Sequence, residues 1–102
     1  MTTSRAHAAT GHASRYLQQL CKHWSHRFAV EFDDRSGRIA FGDGQVVTLS
    51  ASEAGLDVQI ADATAEGLDR LEGVVADHLQ RFAFREELVF DWKRDGAGQA
   101  TG

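Results

Sequence analysis

Proline is absent from these 102 residues, cysteine occurs once, no apolar run approaches membrane length, and the first thirty residues contain no acid. The lone Cys21 cannot form an internal disulfide, which excludes a stapled scaffold and agrees with a reducing compartment. The missing proline is unremarkable at this length. The chain has neither the ~18 consecutive apolar residues of a spanning helix nor the apolar stretch of a secretory signal, so it is expected to stay off the membrane and in the cytoplasm. A net charge of −4 lacks the basic footprint that phosphate neutralisation needs, and nucleic acid is not an expected partner.

Charge is nevertheless distributed unevenly. Arg5, Arg15, Lys22 and Arg27, together with His7, His12, His23 and His26, precede all fifteen Asp and Glu residues. A basic helix face complementing acidic loops of the same molecule accounts for this simply. The acid-poor, Arg- and Ser-containing start also resembles an organelle transit peptide, but the same residues carry the apolar stripe of a core helix.

With 42% hydrophobic and 25% charged residues, the composition is that of a folded domain. Residues 4–9 read as a short strand or an extended arm. Leu17, Leu20, Cys21 and Trp24 then recur at three- and four-residue spacings, predicting a helix over residues 13–26. Two-residue alternation predicts four consecutive strands. They lie at 28–33 on Phe28, Val30 and Phe32, at 38–41 on Ile39 and Phe41, at 45–51 on Val47 and Leu49, and at 56–60 on Leu56, Val58 and Ile60. Turn residues at 34–37, 42–44 and 53–55 separate them.

Asp62 or Thr64 is placed to cap a second helix with the stripe Leu68, Leu71, Val75, Leu79 and Phe82, with Glu66 in its first turn and Asp77 set to pair with Arg81. Gly67 and Gly73 each cost this helix about 1 kcal/mol relative to alanine. Leu88, Phe90 and Trp92 predict a last strand over 87–93, and residues 94–102 a disordered tail. The expectation is one α+β domain over residues 1–93 in the order (β)αββββαβ. Its two amphipathic helices pack on one face of a mainly antiparallel sheet.

Cys21-Lys22-His23-Trp24-Ser25-His26 contains metal-ligand residue types. On a continuous helix, however, Cys21 lies about 160° from His23 and His23 about 60° from His26, so the three do not converge on one ion. His23 and His78 each fall at the margin of a helix's apolar stripe. Two packed helices bring such margins together as a paired-histidine pocket and a candidate metal site; hydrogen-bonded packing explains the same placement. Tyr16 lies one face-repeat before His23, and Arg81, Arg85 and Glu86 fall at the end of the second helix or just after it. The candidate ligand-binding set is therefore Tyr16, His23, His78, Arg81, Arg85 and Glu86.

The adjacent acids Glu86 and Glu87 suit a cation or proton transfer, or are solvated loop charges. Gly42-Asp43-Gly44 lacks the lysine and helix of a phosphate-binding loop. There is no Gly-x-Ser-x-Gly element, and Ser25 has no neighbour that would make it a nucleophile. No catalytic residue and no cofactor is assigned.

The blocks RYLQQLCKHWSHRF at residues 15–28 and VVADHLQRFAFREEL at residues 74–88, with glycine-turn strands between them, resemble a bacterial family catalogued as domain of unknown function 2218. The resemblance spans roughly residues 5–93. It carries Arg15, Tyr16, Cys21, His23, Trp24, His26, His78, Arg81, Phe82, Arg85 and Glu86. Similar domains occur alone or attached to siderophore-interacting flavin reductases, which implies a link to iron uptake. This chain shows no Arg-x-Tyr-Ser or other flavin-binding element, so reductase activity is not implied for it.

Three functions compete. The first is a non-catalytic accessory module of iron or siderophore handling that binds a small anionic ligand or a protein partner near His23, His78 and Arg85, as the basic first helix suits an anionic ferric chelate. The second is a small His-dependent or metal-dependent enzyme using His23 and His78 with Glu86 in support. The third is an assembly domain that forms a homodimer through the sheet face its helices leave bare.

Overall fold

The computed structural model describes residues 2–42, 44–62 and 64–96. The elements are β1 (Thr2–Ala8), α1 (Ala13–Trp24), β2 (Ala29–Phe32), β3 (Ser36–Gly42), β4 (Gln45–Ser52), β5 (Gly55–Asp62), α2 (Ala65–Phe82) and β6 (Lys93–Gly96). All six strands form one open sheet in the order β2-β3-β4-β5-β1-β6, and every pairing is antiparallel. The four-strand meander β2 to β5 follows chain order, as its three turns require. Gly42 and Gly44 take positive φ (100° and 81°) in the expected glycine turn, whose residue 43 lies outside the described residues.

Both helices cover the same face. α1 buries Tyr16, Leu17, Leu20, Cys21 and Trp24, α2 buries Leu68, Leu71, Val75 and Leu79, and the sheet answers with Ile39, Val47, Leu49, Leu56, Val58 and Ile60 in a single core. α1 lies over β2 to β5, and α2 over β5 and β1. Each strand therefore alternates, with every second side chain on the uncovered face. On that face Glu31, Arg38, Thr48, Gln59, Arg5 and Lys93 are successive cross-strand neighbours through all six strands. Phe32 faces the helix side, but its edge strand lies at the rim of helix cover and leaves it 37% exposed.

Thr64 is the cap of α2: its hydroxyl accepts from the Gly67 N–H at 3.0 Å, while Asp62 accepts from the Thr64 N–H at 3.2 Å. α1 stops at Trp24, two residues before the predicted end, where the Ser25 hydroxyl donates to the Lys22 carbonyl and the chain turns into β2.

The last strand departs from its predicted place. Residues 87–92 pair with no strand. The Gln80 side chain anchors the turn that leads into them, its Nε2 donating to the Ala83 and Glu86 carbonyls at 3.0 and 2.8 Å and its Oε1 accepting from the Leu88 N–H at 2.8 Å. That amide ties the turn after α2 to the head of the segment at Leu88. Phe90 and Trp92 stack on each other, centroids 5.7 Å apart, against the margin of the core. The strand begins at Lys93 and includes Arg94, Asp95 and Gly96, three residues expected in a disordered tail; they pair with Thr2 to Ser4 of β1. Residues 97–102 lie outside the described residues.

Candidate functional site

Tyr16 faces the start of the loop after α2, and His23, two turns on, faces His78 of α2. Sequence numbers therefore run in opposite directions along the two helices, and the groove between them has two ends. At the first end the Tyr16 hydroxyl donates to Glu86 Oε2 at 2.5 Å and the Thr10 hydroxyl donates to the same oxygen at 2.9 Å. The Tyr16 hydroxyl, with that of Thr10 behind it, holds the Glu86 carboxyl below the usual carboxylate range. Burial, reinforced by the Glu86 charge, raises the Tyr16 phenol above its ordinary value. The pair is thus a neutral phenol donating to a carboxylate.

Around this latch lies a cleft of about 600 Å³ lined by His12, Arg15, Phe82, Phe84 and Arg85 as well as Tyr16 and Glu86. Among the described residues neither Arg15 nor Arg85 has an ion pair; the Arg85 guanidinium stands 5.5 Å from the centre of the Phe84 ring, which is 78% exposed. The mouth therefore offers two guanidinium groups and an imidazole against one carboxylate already held by two hydroxyls.

At the second end the His23 and His78 rings lie 5.3 Å apart, centroid to centroid. Trp24 packs on His78 at 5.0 Å and Phe82 on His23 at 6.3 Å, so Phe82 joins the two ends of the groove. The His78 Nδ1 lies 2.8 Å from the Val74 carbonyl of its own helix. Arg81 lies apart from both ends, exposed and paired with Asp77 at 3.3 Å as the i, i+4 spacing predicts.

Of the six candidate residues, the structure brings Tyr16, Arg85 and Glu86 to one end of the groove and His23 and His78 to the other. Cys21 turns into the core, where burial pushes its thiol up to about 11. Among the described residues no three His, Cys, Asp or Glu side chains are grouped to hold a metal ion. His12 and Arg15, which line the cleft, and Thr10, which bonds its Glu86, lie outside the predicted set. The acid-free start carried a signal for His12 and Arg15; nothing in the pattern marked Thr10.

A second depression of about 600 Å³ crosses the bare sheet face over Arg5, His7, Thr48, Asp57, Gln59 and Lys93. Its charges answer one another. Lys93 pairs with Asp91 at 3.3 Å; His7 has Nδ1 2.8 Å from Asp57 and Nε2 3.2 Å from the Ala54 carbonyl. With an acceptor at each ring nitrogen, the Asp57 carboxylate foremost, the imidazolium is favoured and the His7 pKa is raised. This histidine ties β1 to the β4–β5 turn and has no free nitrogen with which to act as a base.

The structure is that of an open-faced α+β domain with two antiparallel helices on one side of a six-stranded antiparallel sheet. The chain belongs to the family described as an uncharacterised protein conserved in bacteria, domain of unknown function 2218, whose match covers residues 5–93. It is similar to the protein of the NMR structure of PA4090 from Pseudomonas aeruginosa, at 39% sequence identity and a TM-score of 0.78 over 91% of this chain and 96% of that one. No curated protein matches. No helix among the described residues is long and apolar enough to cross a membrane.

Proposed function

We propose that this domain is a binding module that takes a small anionic ligand in the cleft between the start of α1 and the loop after α2. The observation that carries this reading is the pairing of Arg15 and Arg85 around a cleft whose one carboxylate is already occupied by the Tyr16 and Thr10 hydroxyls. Guanidinium groups recognise carboxylate, phosphate and catecholate oxygens through fixed pairs of donors, and Phe82 and Phe84 offer an apolar surface to a planar ligand body. The link to iron uptake that the family resemblance implies makes an anionic ferric chelate the first ligand class to test.

Binding is favoured over catalysis by the state of the reactive groups. The Tyr16 phenol is held protonated, the Cys21 thiol is buried and raised, and both His7 nitrogens are engaged. Calorimetric titration of the full chain with ferric citrate and, separately, inorganic phosphate tests the proposal. We expect saturable heat with at least one of them, and roughly ten- to hundredfold weaker binding in Arg15→Ala or Arg85→Ala, the effect of removing one charge-assisted hydrogen-bonding group. No saturable heat with either ligand, or affinities unchanged in both variants, rejects the site.

A further inference from the structure

We propose that His23 and His78 form a two-imidazole site for a divalent transition-metal ion of the zinc or copper type, at the end of the groove opposite the arginine cleft. Three observations support it. First, the spacing fits. With metal–nitrogen bonds of about 2.1 Å each ring centre stands about 3.2 Å from the ion, and two such rings at a tetrahedral angle have centres about 5.2 Å apart. The rings here are 5.3 Å apart and tilted by 47°.

Second, the tautomer of His78 is set for metal binding. The Val74 carbonyl can only accept, so the Nδ1 atom 2.8 Å from it carries the proton, and in the neutral ring Nε2 then carries the lone pair. A ligating histidine that donates its other N–H to a backbone carbonyl is the usual arrangement around protein-bound metals, because it fixes the ring and strengthens its basicity. Third, the two rings stand on separate helices whose relative position is fixed by the core. Trp24 packs against the His78 ring and Phe82 against the His23 ring, and the Val74 carbonyl further restrains His78.

The chemistry of the donors sets the ion. Imidazole nitrogen suits zinc, copper and nickel, whereas magnesium and calcium take oxygen ligands. Two protein ligands leave the remaining positions to water or to an oxygen donor from outside, so this is an exchangeable, open site and not a closed structural one. His23 is exposed and His78 half-buried, which gives the ion a path from solvent.

The test follows the five imidazoles by NMR while the full chain, assigned and metal-free, is titrated with zinc chloride. We expect the His23 and His78 ring signals to shift together with one midpoint, while His7, His12 and His26 stay in place and magnesium chloride moves nothing. His23→Gln, a change at an exposed position that leaves the fold intact, should weaken the zinc midpoint by at least about tenfold. His78→Gln should do the same where it folds. Arg15→Ala and Arg85→Ala should leave that midpoint unchanged, which separates this site from the anion cleft. Zinc shifts at other histidines, no shift at His23 and His78, an equal response to magnesium, or an unaltered midpoint in His23→Gln would each overturn the proposal.

Discussion

Two glycines in α2 show how one residue type plays two parts. A Cβ built on Gly67 would stand 2.0 Å from the Asp62 Oδ2 atom, whereas one built on Gly73 meets nothing within 4 Å. The Asp62 carboxylate cannot simply retreat. It is buried at the start of the helix, accepting from Gln45 Nε2 at 2.7 Å and from the Thr64 N–H at 3.2 Å. Gly73→Ala should therefore stabilise the domain by about 0.5–1 kcal/mol, the ordinary gain of alanine over glycine in a helix. Gly67→Ala should destabilise it by about 1–3 kcal/mol, since displacing a buried, hydrogen-bonded carboxylate outweighs the helix propensity. Urea unfolding of both variants checks this, and changes of the same sign would refute it. Propensity alone assigns the two glycines an equal cost; the carboxylate that separates them comes from the end of β5.

At the scale of elements, β6 is paired with β1 and clamped to α2 by one side chain. Arg94 Nε donates to Glu72 Oε2 at 3.0 Å and Nη2 to Glu72 Oε1 at 2.9 Å, with Asp69 beside it, while the Ser4 hydroxyl of β1 donates to the same Glu72. Two strands and a helix thus meet at Glu72, whose side chain is only 13% exposed. Arg94→Ala should lower stability by about 1–3 kcal/mol. It should also speed amide exchange in β6 by roughly tenfold or more while β4 and β5 keep their protection. Uniform protection across the sheet in the variant would show that the clamp does not hold the strand. Alternation of Leu88, Phe90 and Trp92 reads correctly as one buried side of an extended segment, but period two says nothing about a hydrogen-bonding partner. Before Trp92 the Leu88 N–H finds the Gln80 side chain, and the stretch after it finds β1.

For the whole molecule, the question is whether the segment after α2 folds with the rest. Trp24 is buried beneath α1, and Trp92 packs half-buried against the same core on the approach to β6. Because β6 is the outer strand beside β1, and β1 lies under α2, loss of the final strand leaves a helix-covered strand as a bare edge. We expect one cooperative transition in urea, with the same midpoint from far-UV circular dichroism, from total fluorescence, and from Trp92 alone in Trp24→Phe. An earlier midpoint for the Trp92 signal would make the final segment a separate, weaker unit.

What the sequence determined by itself is local and periodic: two helices from stripes of three- and four-residue spacing, four consecutive strands from alternation, and the turns between them, with the cap of α2 narrowed to Asp62 or Thr64. It also placed His23 and His78 at helix margins, and their rings do lie 5.3 Å apart. Tertiary structure decided what has no period. It put β1 on the far side of β5, carried β6 past its predicted place, and split the candidate residues between two ends of a groove. It also brought Thr10 to Glu86 across seventy-six residues, whereas the pairing of Arg81 with Asp77 follows from helical spacing alone. The physical reason is that side-chain periodicity reports which face of an element is buried, whereas hydrogen-bond partners and pairings distant in the chain depend on how those faces meet.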